Sequence, residues 1–209
     1  DFYLSLSLYY STMKNDKKGF DKLGIKCKKC KRMIQYAQET LENGRKKGFE
    51  KDDYWCKPVP SFGSIDSEIL IVGLAPGKHG AGRTGRPFTG DYAGEILYKA
   101  LYQSGLANST NAVSLDDSLK LKNVRIGNAV RCVPPQNKPL NEEILNCRPY
   151  LVQEINMMNN LRFVLALGGI AHRQIIHCID EKQSKFKFGH ENIHNIENQK
   201  WKLVDSYHP

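Results

Sequence analysis

The sequence predicts an α/β domain in three layers, with helices on both faces of a central, mostly parallel four-stranded sheet. Three observations carry this reading. Short, continuous apolar runs of strand length alternate with stretches of helical period. A glycine-rich segment, "GLAPGKHGAGRTGRPFTGD" from Gly73 to Asp91, follows directly on the first of those runs. The chain has 209 residues, 40% of them hydrophobic, which is enough to bury one sizeable core.

Taken in order, "CKKCKRMIQYAQETLENGRKKG" has helical character from about Lys31 to Glu42, with the Asn43-Gly44 pair as its stop. The proline-rich "YWCKPVPSFGSIDSE" leads into "EILIVGL", an unbroken apolar run that predicts a strand buried on both faces. Beyond the glycine-rich loop, "DYAGEILYKALYQSG" repeats apolar residues at Ile96, Leu97, Ala100 and Leu101 and reaches Gly105, where a helix should end. The pattern then recurs, with "VRIGNAV", "RFVLALG" and "WKLVDSY" as strands and "PLNEEILNCRPYLVQEINMM" and "GIAHRQIIHCI" as helices. The polar stretch from Asp180 to Lys200, which carries His190 and His194, predicts a loop or a small excursion.

No apolar stretch approaches the roughly 20 residues that span a bilayer, so a soluble protein with no membrane partner is expected. Residues 1–12, "DFYLSLSLYYST", lack a basic segment leading into a signal-peptide core and read as a leader outside the native domain. Met13 is then the expected start and 13–209 a single domain. The stop at "SYHP", directly after a strand, reads as a C-terminal truncation. The formal charge of +9, from 31 Lys and Arg against 22 Asp and Glu, favours a polyanionic partner through counterion release. A lysine-rich proteome explains the same charge, so it informs only beside a site.

Six cysteines without a secretory signal argue against a disulfide scaffold. "CKKC" sets two residues between Cys27 and Cys30, whereas Cys132 and Cys147, with fourteen residues between them, form a wide pair that spans a loop and a helix start. Two pairs of soft thiolates suit zinc or an iron–sulfur cluster. A zinc ribbon usually has a close pair in each half, so the wide second pair favours a 4Fe-4S cluster. Four buried free thiols are the bland alternative, and Cys56 and Cys178 read as packing residues.

The glycine-rich loop is not a phosphate loop: "GLAPGKH" has too few residues between its glycines, and His79 stands where Ser or Thr is needed. At the carboxyl edge of a parallel sheet, a backbone turn over Gly73, Leu74, Ala75, Pro76 and Gly77 can offer N–H donors to a ligand. The motifs "GLAPGKHGAGRTGRPFTGD", "YWCKPVPSFG", "NAVRCVPPQNKP", "ALGGIAH" and "SYHP" together resemble a family 5, or type b, uracil-DNA glycosylase with its iron–sulfur cluster. The resemblance runs in order from Cys27 to Pro209. It implies the uracil-DNA glycosylase-like fold and a cytoplasmic, prokaryotic, monomeric DNA-repair enzyme. Such an enzyme would flip uracil from DNA and hydrolyse its N-glycosidic bond, leaving an abasic site.

Each residue also has a physical reading of its own. Phe88 is the large aromatic of the loop, and a flipped pyrimidine needs a stacking face; the alternative is a plug packed beneath the loop. Asp91, the carboxylate of the segment, suits a base for the attacking water or a counter-charge for a cationic sugar, or else only caps the next helix. Asn128, at the end of the second strand, can read the O4 and N3–H edge of uracil, or be satisfied within the core. His208 can donate to uracil O2 as the anion leaves, and this role leans most on the resemblance. "GLAPG" lacks the early polar catalytic residue of other branches, which resembles the type b enzymes that also accept deaminated purines such as hypoxanthine and xanthine. The DNA-wedging loop expected after "HPS" is not in this sequence. Two rival readings are a non-catalytic, metal-stapled nucleic-acid-binding module and a zinc-bearing small-molecule hydrolase.

Overall fold

The computed structural model describes residues 24–209, so the leader and Met13 lie outside the described residues. Helix α1 (Lys31–Asn43) begins directly after Cys30, which stands at its N-cap position. The elements that follow are β1 (Ile69–Gly73), α2 (Ala81–Thr84), α3 (Tyr92–Gln103), β2 (Val124–Asn128), α4 (Asn141–Met157), β3 (Phe163–Leu167), α5 (Gly169–Cys178), β4 (Ile193–Asn195) and β5 (Lys202–Ser206).

The sheet order is β2-β1-β3-β5-β4, parallel throughout except for the antiparallel β4–β5 pair. The sheet therefore has five strands, not the four that the sequence predicts. β4 is short and not apolar: Ile193 is 61% exposed and His194 is the inward residue, so the segment lacks the apolar run that marks the other four. It is held by ladder bonds to β5 and lies within the polar stretch 180–200.

Alternation along the strands builds the two faces. Leu70 and Val72 of β1 join Val164, Ala166 and Leu203 against Leu151 and Ile155 of α4 and Ile175 and Ile176 of α5. Ile71 points the other way, with Val124 and Ile126, to meet Leu97, Tyr98 and Leu101 of α3. Burying each such side chain stabilises the fold by about 1.5–3 kcal/mol, which makes these two clusters the main driving force. Between β2 and α4 the core admits charge: Arg125 Nε donates to Glu154 Oε1 at 2.6 Å, and Arg131 Nη2 lies 3.5 Å from Oε2. Burial opposes ionisation of Glu154, and the two guanidinium groups more than offset it, holding the carboxyl below its ordinary range.

The chain runs from β1 to β2 on one side and then crosses to β3 on the other. Ligands bind such sheets outside the carboxyl ends of the strands at the point of reversal. Gly73 and Asn128 end β1 and β2 there in register with each other. No described helix is long and apolar enough to cross a membrane.

Candidate functional site

A cavity of about 270 Å³ opens at this end of the sheet, lined by Leu74, Ala75, Pro76, Gly77, Phe88, Asp91, Asn128 and His208, together with Ala81, Ala93 and Asn137. The structure thus brings together, around one space, all the ligand-contacting residues expected from the sequence except Gly73, which lies beneath it. The glycine-rich segment is not wholly irregular: α2 forms inside it, and Arg83 Nε donates to the His79 carbonyl at 2.9 Å.

Asn128 is 7% exposed, and its Oδ1 has no hydrogen-bond partner. A buried amide oxygen left unpaired costs about 1–3 kcal/mol, and this one belongs to a side chain that lines the cavity. Phe88 lines the cavity and packs into the α3-side core, with its ring centroid 5.9 Å from that of His208. Its φ of 51° is a costly backbone for a bulky residue. The loop is fixed from both flanks: Tyr98 Oη donates to the Pro87 carbonyl at 2.9 Å, and Arg86 makes a two-pronged pair with Asp117 at 2.7 and 2.6 Å. Burial pushes the Tyr98 hydroxyl up to about 12, so it remains a donor at any physiological pH.

Asp91 is the N-cap of α3, its Oδ1 accepting from Gly94 N at 3.0 Å. Its Oδ2 accepts nothing among the described residues and faces the turn at Gly77 and Gly80; a Cβ at Gly80 would overlap that oxygen. One oxygen is spent on the helix and the other faces the cavity. His208 is exposed at the cavity, with its Nδ1 2.8 Å from the Pro209 oxygen. A doubly protonated imidazole ring donates from both nitrogens.

The Uracil DNA glycosylase superfamily model matches residues 60–209. Type-5 uracil-DNA glycosylase of Thermus thermophilus is 37% identical over 193 residues, covering 92% of this chain and 86% of the relative. The protein of the same name from Pyrobaculum aerophilum is 37% identical over 186 residues, covering 88% and 78%, and that from Mycobacterium tuberculosis 38% over 185, covering 88% and 68%. The chain belongs to the type-5 uracil-DNA glycosylase family. A type-4 relative from Pyrobaculum aerophilum is 32% identical over 153 residues, with a smaller share of the chain covered.

Of the four thiols expected to act as ligands, three pack together near the pocket. Cys30, Cys132 and Cys147 share one apolar cluster with Met33, Val130 and Ala75, so the residue that lines the pocket also packs on the thiols. Burial raises the Cys132 thiol well above its usual range, and Cys147, Cys27 and Cys30 raise it further by their charge. Burial likewise carries Cys147 up to about 11, with Cys30 and Cys27 contributing. Asn146 Nδ2 donates to Cys30 Sγ at 3.6 Å. Cys27 and Cys132 also line a small cavity of about 50 Å³ together with Cys56, a residue that the sequence assigns to packing alone.

Sequence reasoning missed Asn137. It comes back to the cavity through a 3-10 turn, Pro135–Asn137, in which Gln136 and Asn137 have φ of 57° and 56°. Asparagine tolerates the left-handed region, so "PPQN" held a usable signal. A second, open groove of about 570 Å³ meets the pocket at Asp91 and is lined by Phe49, Arg83, Glu95 and Lys99.

Proposed function

We propose that this protein removes uracil from DNA by hydrolysing the N-glycosidic bond, with Asp91, Asn128 and His208 as its catalytic groups. The observation that carries the assignment of residues is the unpartnered Asn128 Oδ1, buried in a cavity that also holds Asp91 and the face of Phe88. A uracil in that cavity offers N3–H to the amide oxygen and its ring to Phe88. Asp91 Oδ2 orients a water toward the sugar's anomeric carbon and stabilises the cationic character that develops there. The bond breaks toward the base, the electron pair goes to uracil, and His208 in its protonated form donates to O2. The described lining contains no lysine, which supports water as the nucleophile and a monofunctional enzyme.

The lining by Leu74, Ala75 and Pro76 carries no polar group that would select a pyrimidine, which supports hypoxanthine and xanthine as further substrates. The DNA backbone follows the groove beside Arg83 and Lys99, in keeping with the formal charge of +9. All the groups assigned to the reaction lie on one chain, which supports a monomer.

Cys27, Cys30, Cys132 and Cys147 would hold a 4Fe-4S cluster. The donor set fits: buried thiols that raise one another's proton affinity are released from that conflict by a cationic centre. The close Cys27–Cys30 spacing beside the wide Cys132–Cys147 spacing favours the cluster over a zinc ribbon. The cluster would supply a structural tie between the start of α1, the end of β2 and α4, beneath Ala75.

The test is release of free base from uracil, hypoxanthine and xanthine duplexes, with salt-dependent binding measured in parallel. Base release is expected from all three. Tight binding of uracil DNA with no base released would replace this reading by the non-catalytic binding module.

A further inference from the structure

Away from the thiols, three ligand-type side chains meet inside the fold where the sequence reads only a polar excursion. Asp205 of β5 is 1% exposed and receives a histidine on each oxygen. His172 Nδ1, from α5, lies 2.7 Å from Oδ1, and His194 Nε2, from β4, lies 2.8 Å from Oδ2. Gly189 N donates to Oδ2 at 3.3 Å. The three ligand atoms all lie within 4.8 Å of one another.

The outer nitrogen of His172 fixes the chemistry. Nε2 lies 2.9 Å from the Phe186 carbonyl, which only accepts, so Nε2 carries a hydrogen. A neutral ring then has its lone pair at Nδ1, facing a carboxylate oxygen. Two acceptors at that separation repel, so a cation has to be shared by both: a second proton on the line between them, or a metal ion beside it with the two ligands opened slightly apart.

We propose that the cation is a divalent metal of the zinc class, bound by His172, His194 and Asp205. Two imidazoles and a carboxylate suit zinc's preference for nitrogen and oxygen ligands. The His172 N–H on a backbone carbonyl is the outer contact that orients metal-bound histidines. Phe188 and Phe186 shield the group, with ring centroids 5.6 Å from His172 and 5.9 Å from His194. The proton solution buries an imidazolium–carboxylate pair whose desolvation cost cancels much of its attraction, whereas metal ligation adds its own binding free energy to folding. The three donors come from α5, β4 and β5, so the ion would fasten the weakly buried β4 segment to the sheet. It would also fix the end of β5 from which His208 reaches the pocket.

The test uses the full chain after chelator dialysis, titrated with cobalt(II) and with zinc. Cobalt at this site gives a visible d–d band without the thiolate charge-transfer band of a cysteine site, and zinc displaces it. Zinc should raise the Tm of the wild type, and His194→Ala should lose both the band and the Tm shift while keeping its far-ultraviolet circular dichroism. His194→Cys should recover binding and add a thiolate charge-transfer band. His194 is only partly buried, on an edge strand of three residues, so its removal leaves the core intact. Equal cobalt spectra for wild type and His194→Ala would overturn the proposal. So would a doubly protonated His172 ring, seen by nitrogen NMR in zinc-saturated protein, since the proton would then occupy the ion's place.

Discussion

Gly73 and Asn128 are register partners at the carboxyl ends of β1 and β2, and the space beside Gly73 is already taken. A Cβ there would stand 2.6 Å from Asn128 Oδ1 and 2.7 Å from Phe88 Cζ. The absence of a side chain lets the amide and the ring lie next to each other under the pocket. Space, rather than backbone freedom, is what this glycine supplies.

Gly73→Ala should therefore displace both groups that the proposed function assigns to the base. Phe88 is buried with a strained backbone and yields poorly. Single-turnover base release should fall on the order of 100-fold, the scale of an ångström-sized misplacement. Overpacking should lower stability by about 1–3 kcal/mol. An unchanged rate at saturating enzyme would show that the amide and ring do not hold the base.

The two oxygens of Asp91 separate its structural and chemical work. Asparagine caps a helix as well as aspartate does, so Asp91→Asn should melt close to the wild type yet lose about 100-fold or more in single-turnover rate. Asp91→Ala should lose the rate and, in addition, about 1 kcal/mol of stability. Should Asp91→Asn retain full rate, Asp91 is a cap alone.

The strands that carry these residues were legible because each is a continuous apolar run buried between helices, and the site follows from where such runs end. Asp91 and Phe88 each have two readings in the sequence; in the fold Asp91 caps α3 and Phe88 packs into the core, and both also line the cavity. β4 escaped notice because an edge strand of three residues with Ile193 exposed leaves no hydrophobic pattern. The contact between Arg86 and Asp117 escaped for another reason. The two are 31 positions apart, and no local period links a buried arginine to the one carboxylate that folds beneath it. The meeting of His172, His194 and Asp205 is of the same kind, assembled by sheet topology.

Arg86 and Asp117 clamp the loop that carries Phe88, and their pair should give stability a defined pH dependence. Burial opposes the charge on Asp117. The Arg86 guanidinium and the N–H groups of Val113, Ser114 and Leu119 outweigh it and hold the carboxyl far below its ordinary range. A depressed carboxyl stabilises fully above the unfolded value of ~3.9, and that contribution drains away as pH falls below it toward the folded value. Asp117→Asn should cost on the order of 3 kcal/mol at pH 7, because Arg86 is left buried without its counter-charge. The gap in Tm between wild type and variant should narrow as pH is lowered from 6 to 3. A gap that stays constant would mean that the pair is not what stabilises the loop.

The cluster proposal meets its sharpest test at Cys56, because that thiol lines the same small cavity as Cys27 and Cys132 and is a rival ligand by position. Two features set it apart. Its thiol is raised by burial, with the charges of Arg45 and Lys78 working the other way, and none of the other thiols contributes to its shift, whereas Cys132 is raised by all three of its expected partners. Its backbone has a φ of 44°, in a turn tied down by its own N–H to the Gly82 carbonyl at 3.0 Å, so its place is set by the loop beside α2. Anaerobically purified Cys56→Ser should hold as much iron and sulfide as the wild type and show the same brown absorbance. Cys132→Ser removes a thiolate that the proposed cluster needs, and should lose iron, soluble yield and, through Ala75, the shape of the pocket. Loss of iron in Cys56→Ser with retention in Cys132→Ser would exchange the two assignments, and stoichiometric zinc with no iron in the wild type would replace the cluster by a zinc site.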